Sequence, residues 1–317
     1  MIVGCHLVYV PSTKSLYGCL KEFTDVFVGV FGMIAGFFLC QSCVQKKQTA
    51  QTFAVQRVRR LVIPYLVWSV CFVGANCLFD SLRHQPLTFE LLSVKAWGEV
   101  FLLGGAGPHT WFLIALFYGQ MLLFWPVRSW VKKDYGWVPF VVLGLCALTI
   151  TVKFSGRSNP WSGIGIYHIR LLAYLAFGIA LGCLYPKIQR FASRYSAAVH
   201  AVWGVWLIGS CLLFKSIPGV NGFWLAALVA LPVFAWALIG SNRPDTQNKT
   251  IQQVASVSMG IYCIHPVFTA LNYAVLSKVN VQPTDSIIFA DWVVSWALAW
   301  GCATVMSRFK LLKPLVT

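Results

Sequence analysis

Nine windows of about 17 to 23 residues, at 23–42, 61–79, 110–127, 137–153, 169–186, 199–215, 222–240, 255–277 and 287–307, are almost uninterruptedly apolar. A helix rising 1.5 Å per residue needs about 20 such residues to cross a hydrocarbon core of about 30 Å. In that core every backbone N–H and C=O must be bonded within the segment, which leaves only helices or closed barrels, and windows of this length exceed a barrel strand. Met1 to Val10 is a tenth apolar run, but Pro11-Ser12-Thr13-Lys14 stops it at about half a span. The sequence therefore predicts an all-α polytopic membrane protein, a single domain over 1–317, with nine full transmembrane helices plus a truncated first helix. Met1-Ile2-Val3-Gly4-Cys5 has neither a charged stretch nor a small-residue cleavage site, so no cleavable signal is expected.

Composition excludes the main alternative. With 58% hydrophobic and 11% charged residues, the chain cannot cover a soluble globule with polar groups. A net charge of +16 would suit a nucleic-acid partner, yet the basic residues lie in short connections between apolar windows. Their partner is then the anionic face of a lipid bilayer, not nucleic acid. Placing loop 43–60 in the cytosol and alternating from there puts 16 of the 25 Lys and Arg on the cytosolic side, with only Asp134 and Asp245 of the nine acids. That is the positive-inside pattern, and it predicts a cytosolic C-terminus.

Several features read as packing. The 11 cysteines are scattered singly apart from Cys40 and Cys43, and no His/Cys set has zinc spacing, so no metal is expected. Gly29, Gly32 and Gly36 include a Gly-x-x-x-Gly step that lets helices approach closely. Trp292, Trp296 and Trp300 recur every four residues and form an aromatic face for packing or lipid contact. The connection from Asp80 to His109 is read as a polar outer loop with a flexible lead, Gly104-Gly105-Ala106-Gly107-Pro108.

Chemistry is sought where polar side chains fall at bilayer depth, since each costs free energy there unless it meets a partner or a wet cavity. His6 lies in the short first run and His265 near the middle of the window 255–277. Ser258, Tyr262, His265, Thr269 and Asn272 follow at spacings of four, three, four and three, which sets all five on one helical face. Such a stripe is either interhelical hydrogen bonding or a path that brings a hydroxylated substrate to a proton acceptor. Gln120, Asn76 and Ser210 are further buried polar candidates and read as interhelical contacts. Arg57, Arg59 and Arg60 stand against a predicted helix start, with Arg57 and Arg60 sharing a face; they mark topology and could also hold a phosphate-bearing donor with planar forks. Arg170, with His168, sits at the outer entrance of another window as a substrate contact or a snorkelling residue.

These residues carry a resemblance. The segment Val28-Gly29-Val30-Phe31-Gly32-Met33-Ile34-Ala35-Gly36-Phe37-Phe38-Leu39, then Arg57-Val58-Arg59-Arg60-Leu61-Val62-Ile63-Pro64-Tyr65, then Trp111-Phe112-Leu113, then Ser258-Met259-Gly260-Ile261-Tyr262-Cys263-Ile264-His265-Pro266 resemble, in order and spacing, the acyltransferase type 3 family of integral-membrane acyltransferases. Ala35 stands where the family has Ser. The family includes polysaccharide and O-antigen O-acetyltransferases. The resemblance implies transfer of an acyl group, commonly acetyl from cytosolic acetyl-CoA, to a hydroxyl of an extracytoplasmic or lipid-linked glycan, with no permanently bound cofactor. It implies His6 as the catalytic base, and Arg57 and Arg60 as the acyl-CoA clamp. Ser258, Tyr262, His265 and Arg170 lie along the substrate path. The Arg that the family places ten residues before its histidine would precede Met1. A non-catalytic transporter or flippase using the same polar helix, or an inactive truncated member, stays open as an alternative, as do the acceptor sugar, the acyl length and the oligomeric state.

Overall fold

The structure, a computed structural model, describes residues 16–45, 49–82, 93–104, 110–154, 160–194, 198, 201–206, 209, 222–240, 249–278 and 284–317. Every element among them is helical. Trp111–Trp130, Val138–Phe154, Gly222–Gly240, Ser258–Lys278 and Asp285–Met306 match five predicted windows to within a few residues, and Leu16–Gln45 and Pro160–Arg194 extend two more. The window 199–215 is described at 201–206 and 209, where it is helical. Among the described residues four segments are long and apolar enough to cross a membrane: Ala50–Cys77, Trp111–Trp130, Gly165–Phe191 and Phe289–Met306. Val28–Val44 and Val138–Phe154 are shorter apolar helices. The chain is thus a multi-pass, all-helical membrane protein.

The chain divides into two compact units. One comprises Met1–Asp25, Gln56–Ile114 and Gln247–Thr317, the other Val26–Val55 and Ala115–Thr246. The second unit is built on glycine contacts between Leu16–Gln45 and Pro160–Arg194. Gly32 rests on Leu171 and Tyr174, Gly36 on the carbonyl of Leu175, Gly178 on the carbonyl of Met33, and Gly182 on Cys40. The steps 32/36 and 178/182 are offset along the contact, and at Gly36 and Gly178 the glycine meets the backbone of the other helix directly. The thiols of Cys40 and Cys183 lie 3.8 Å apart across this contact, so the neighbour of Cys40 is on another helix and is not Cys43. Val26, Met33, Phe37, Tyr174, Ala230 and Phe234 fill the core beside it.

Around the arginines the structure revises two expectations. The arginines do not open a helix. The helix begins at Ala50, where Thr49 caps it by accepting the N–H of Thr52 at 3.2 Å, and it runs through the arginines into Ile63–Leu82. Hydropathy marks only the apolar part of this rod, since residues 50–60 are too polar to register as a span. At Val58–Val62 the rod loosens into a π-helical turn, with Ile63 N–H reaching back to the Val58 carbonyl. Pro64 accounts for it: it has no N–H to offer Arg60, and its ring crowds that carbonyl.

The second revision concerns the connection 80–109. Val94–Gly98 and a second π-helical turn, Glu99–Leu103, pack on the rod: Val100 sits with Phe72 and Val73, flanked by Trp97 and Phe101, and Tyr65 donates its hydroxyl to the Val100 carbonyl. Within the turn the Gly104 N–H bonds the Glu99 carbonyl, and Tyr65 takes up the Val100 carbonyl.

Candidate active site

The first unit gathers most of the predicted site. Trp68 of the rod lies against the cluster of Val257, Ile261, Ile264, Ala299, Ala303 and Val316, and Val267 of Ser258–Lys278 lies against the cluster of Phe72, Val73 and Val100. The arginines of the rod and the imidazole of Ser258–Lys278 therefore belong to one compact unit.

The polar stripe is buried, as its periodicity requires. His265 is 0% exposed and Thr269 4% exposed, while Ser258, Tyr262 and Asn272 are half-buried. His265 Nδ1 lies 3.1 Å from the carbonyl of Ile261, one turn earlier. A carbonyl only accepts, so this nitrogen carries the proton and the lone pair of a neutral ring falls on Nε2, which is buried. The Thr269 hydroxyl donates to the His265 carbonyl at 3.1 Å. The Tyr262 ring stands between His265, 6.0 Å away, and Phe112, 5.6 Å away. Phe112 is held by a tight lead-in. Gly104 adopts φ 87°, with the Trp111 backbone packed where a Cβ would stand, and the Thr110 hydroxyl donates to the Gly104 carbonyl at 2.9 Å.

Farther along the stripe lies a contact the sequence reading missed. Asn272 donates to Asp291 Oδ1 at 2.7 Å and to the Ser295 hydroxyl at 3.1 Å, and Ser295 donates to the same Asp291 oxygen at 3.2 Å. The signal was present, since Asp291 and Ser295 are four apart and share a face of Asp285–Met306. Asp291 entered the sequence reading only as an outer charge.

At the other end, Arg57 is half-buried, whereas Arg59 and Arg60 are both exposed. The π turn inserts an extra residue into the ladder, which shifts the regular register on which the Arg57 and Arg60 pairing was predicted. Arg170 belongs to the second unit, on Pro160–Arg194. It is 3% exposed, and its Nε donates to the Tyr174 hydroxyl at 3.1 Å, so the snorkelling alternative, which needs a guanidinium in water, does not describe it. His168 stands 6.3 Å from Tyr118 in the same unit. Gln120 is buried as expected, Asn76 is exposed where a buried contact was expected, and Trp296 and Trp300 lie tilted 5.5 Å apart against the core of the first unit, as the packing reading of their stripe expects. His6 and Ser210 lie outside the described residues.

A family model described as an acyltransferase domain matches residues 1–307, nearly the whole chain. No curated protein and no solved structure matches it.

Proposed function

Since the chain belongs to the acyltransferase type 3 family, we propose that it moves an acyl group, acetyl in the simplest case, from acyl-CoA at the cytosolic face to a hydroxyl of an extracytoplasmic or lipid-linked glycan. The proposal includes nine full spans after a short first one, in a bacterial inner membrane with the C-terminus in the cytosol. In the reaction the thioester C–S bond breaks and a C–O ester bond forms. The acceptor hydroxyl gives up its proton to a histidine, and the departing thiolate takes one up.

The observation that supports this reading is that the arginine rod and the histidine helix share one compact unit, with Trp68 and Val267 joining their clusters. Arg57 and Arg60 supply always-charged, planar forks for the phosphates of coenzyme A. From Arg60 to the Trp68–Phe72 contact with the histidine helix is 8 to 12 residues, about 12 to 18 Å at helical rise, a distance a flexible thioester arm must span. His6 serves as the base, as the resemblance assigns it, because an imidazole with an ordinary pKa of about 6.5 is neutral and basic at pH 7. Tyr262 and His265 hold the acyl group or the acceptor, Ser258 lines the path, and Arg170 contacts substrate in the second unit.

The test is acetyl-CoA-dependent labelling of cell-surface glycan in cells with and without the protein. Expected are labelling with the wild type, none with His6→Ala, and at least a tenfold loss with Arg57→Ala/Arg60→Ala. Full labelling in the double arginine variant would overturn the donor assignment, and glycan export without any acetylation would favour the flippase reading.

A further inference from the structure

The chain's last turn sits on the arginine segment. Lys313–Val316 packs against the π turn Val58–Val62, against Ile63–Leu82 and against Ser258–Lys278. Trp68 Nε1 donates to the Leu315 carbonyl at 3.2 Å, and Val316 is fully buried with Val257, Ile261, Ile264, Ala299 and Ala303. Gly260 makes room for it: a Cβ there would come within 2.6 Å of Val316 Cβ. The tail is therefore fixed, and what it fixes is charge. Lys313 is exposed at the start of this turn, and Arg308 and Lys310 are exposed on the turns just before it. Arg59 and Arg60 are exposed on the segment it covers.

No acid occurs anywhere in residues 26–79 or 292–317, and none of these five cations enters an ion pair among the described residues. Five like charges brought together by a buried anchor repel one another unless an anion sits among them. Topology alone would be served as well by cations spread over separate loops, and it does not require an indole hydrogen bond and a glycine notch to seat the tail against the arginines.

We propose that Arg59, Arg60, Arg308, Lys310 and Lys313 form one binding surface for a phosphate-bearing anion, completed by the C-terminal segment. Under the function proposed above, on which this rests, the anion is the nucleotide diphosphate and 3′-phosphate of the acyl donor, which has more phosphates than Arg57 and Arg60 alone can meet. The same chemistry would also bind the headgroup phosphate of an anionic lipid.

The experiment uses the full chain in nanodiscs of phosphatidylcholine, with coenzyme A as the probe, and compares Arg308→Gln/Lys310→Gln/Lys313→Gln with Lys132→Gln/Lys133→Gln, a control that removes exposed cations in the other unit. Expected is a Kd for coenzyme A at least about tenfold higher in the triple variant, with a shallower salt dependence, and no change in the control. A second arm adds phosphatidylglycerol and reads thermal unfolding. Unchanged coenzyme A affinity with loss of phosphatidylglycerol-dependent stabilisation assigns the surface to lipid. No difference between the triple variant and wild type in either arm overturns the proposal. If the wild type binds no coenzyme A, the donor reading of the arginines falls, and the lipid arm alone decides this surface. If coenzyme A binding needs Arg57 and Arg60 but not the tail, the donor reading stands and this one falls.

Discussion

Asp291 supplies the acceptor atom on which Asn272 and Ser295 both converge, and each of those bonds crosses or braces the pair Ser258–Lys278 and Asp285–Met306. Asp291→Ala would leave the Asn272 amide one acceptor short inside the bundle, a loss of about 1–3 kcal/mol. Asp291→Asn keeps an oxygen in place and should cost less than half as much. Thermal unfolding in detergent decides: equal destabilisation by Ala and Asn would show that the charge matters and the hydrogen bonds do not. Gly260 makes a second case. Gly260→Val puts carbon where Val316 and Ala303 already stand, an overpacking cost of about 1–3 kcal/mol, and Val316→Ala in the same chain should recover part of it. Absence of rescue would mean that the tail does not occupy the notch. His265 and the face it shares were legible in the sequence because helical periodicity is a property of one segment. The acid that ends the stripe was not, because which helix lies opposite is decided by packing between segments distant in the chain.

At the scale of elements, the glycines divide into two classes that sequence alone cannot separate. Gly36 and Gly178 each face the backbone of the other helix, and neither backbone can yield without parting the two helices. Gly36→Ala and Gly178→Ala should each destabilise by more than about 2 kcal/mol. Gly74, in the interior of Ile63–Leu82, has open space where a Cβ would stand, with no atom within 4 Å, so Gly74→Ala should stabilise by about 0.5–1 kcal/mol by removing backbone freedom from the unfolded chain. A melting series on the three variants tests both signs at once; a stabilising Gly36→Ala would refute the close contact. The Gly-x-x-x-Gly step was legible as a packing motif, but its partner at 178/182 was found only by folding. The π turns were not legible, because each replaces one hydrogen-bond register with another while leaving the apolar pattern in place. The second of them is also where Tyr65 and the Phe72–Val73 pair meet Val100.

For the whole molecule, Lys313–Val316 touches Val58–Val62, and under the proposed topology both face the cytosol with eight windows, an even number of crossings, between them. That topology makes a prediction for reporter fusions. A cytosol-active reporter at Thr317 or within 131–137 should be active, and one placed within 279–283 should be silent, with a periplasm-active reporter giving the reverse pattern. A silent cytosolic reporter at Thr317 would move the tail, and with it Arg59 and Arg60, to the outer face. Acyl-CoA in the cytosol could not then reach the arginines, and the donor site would have to be sought elsewhere in the chain.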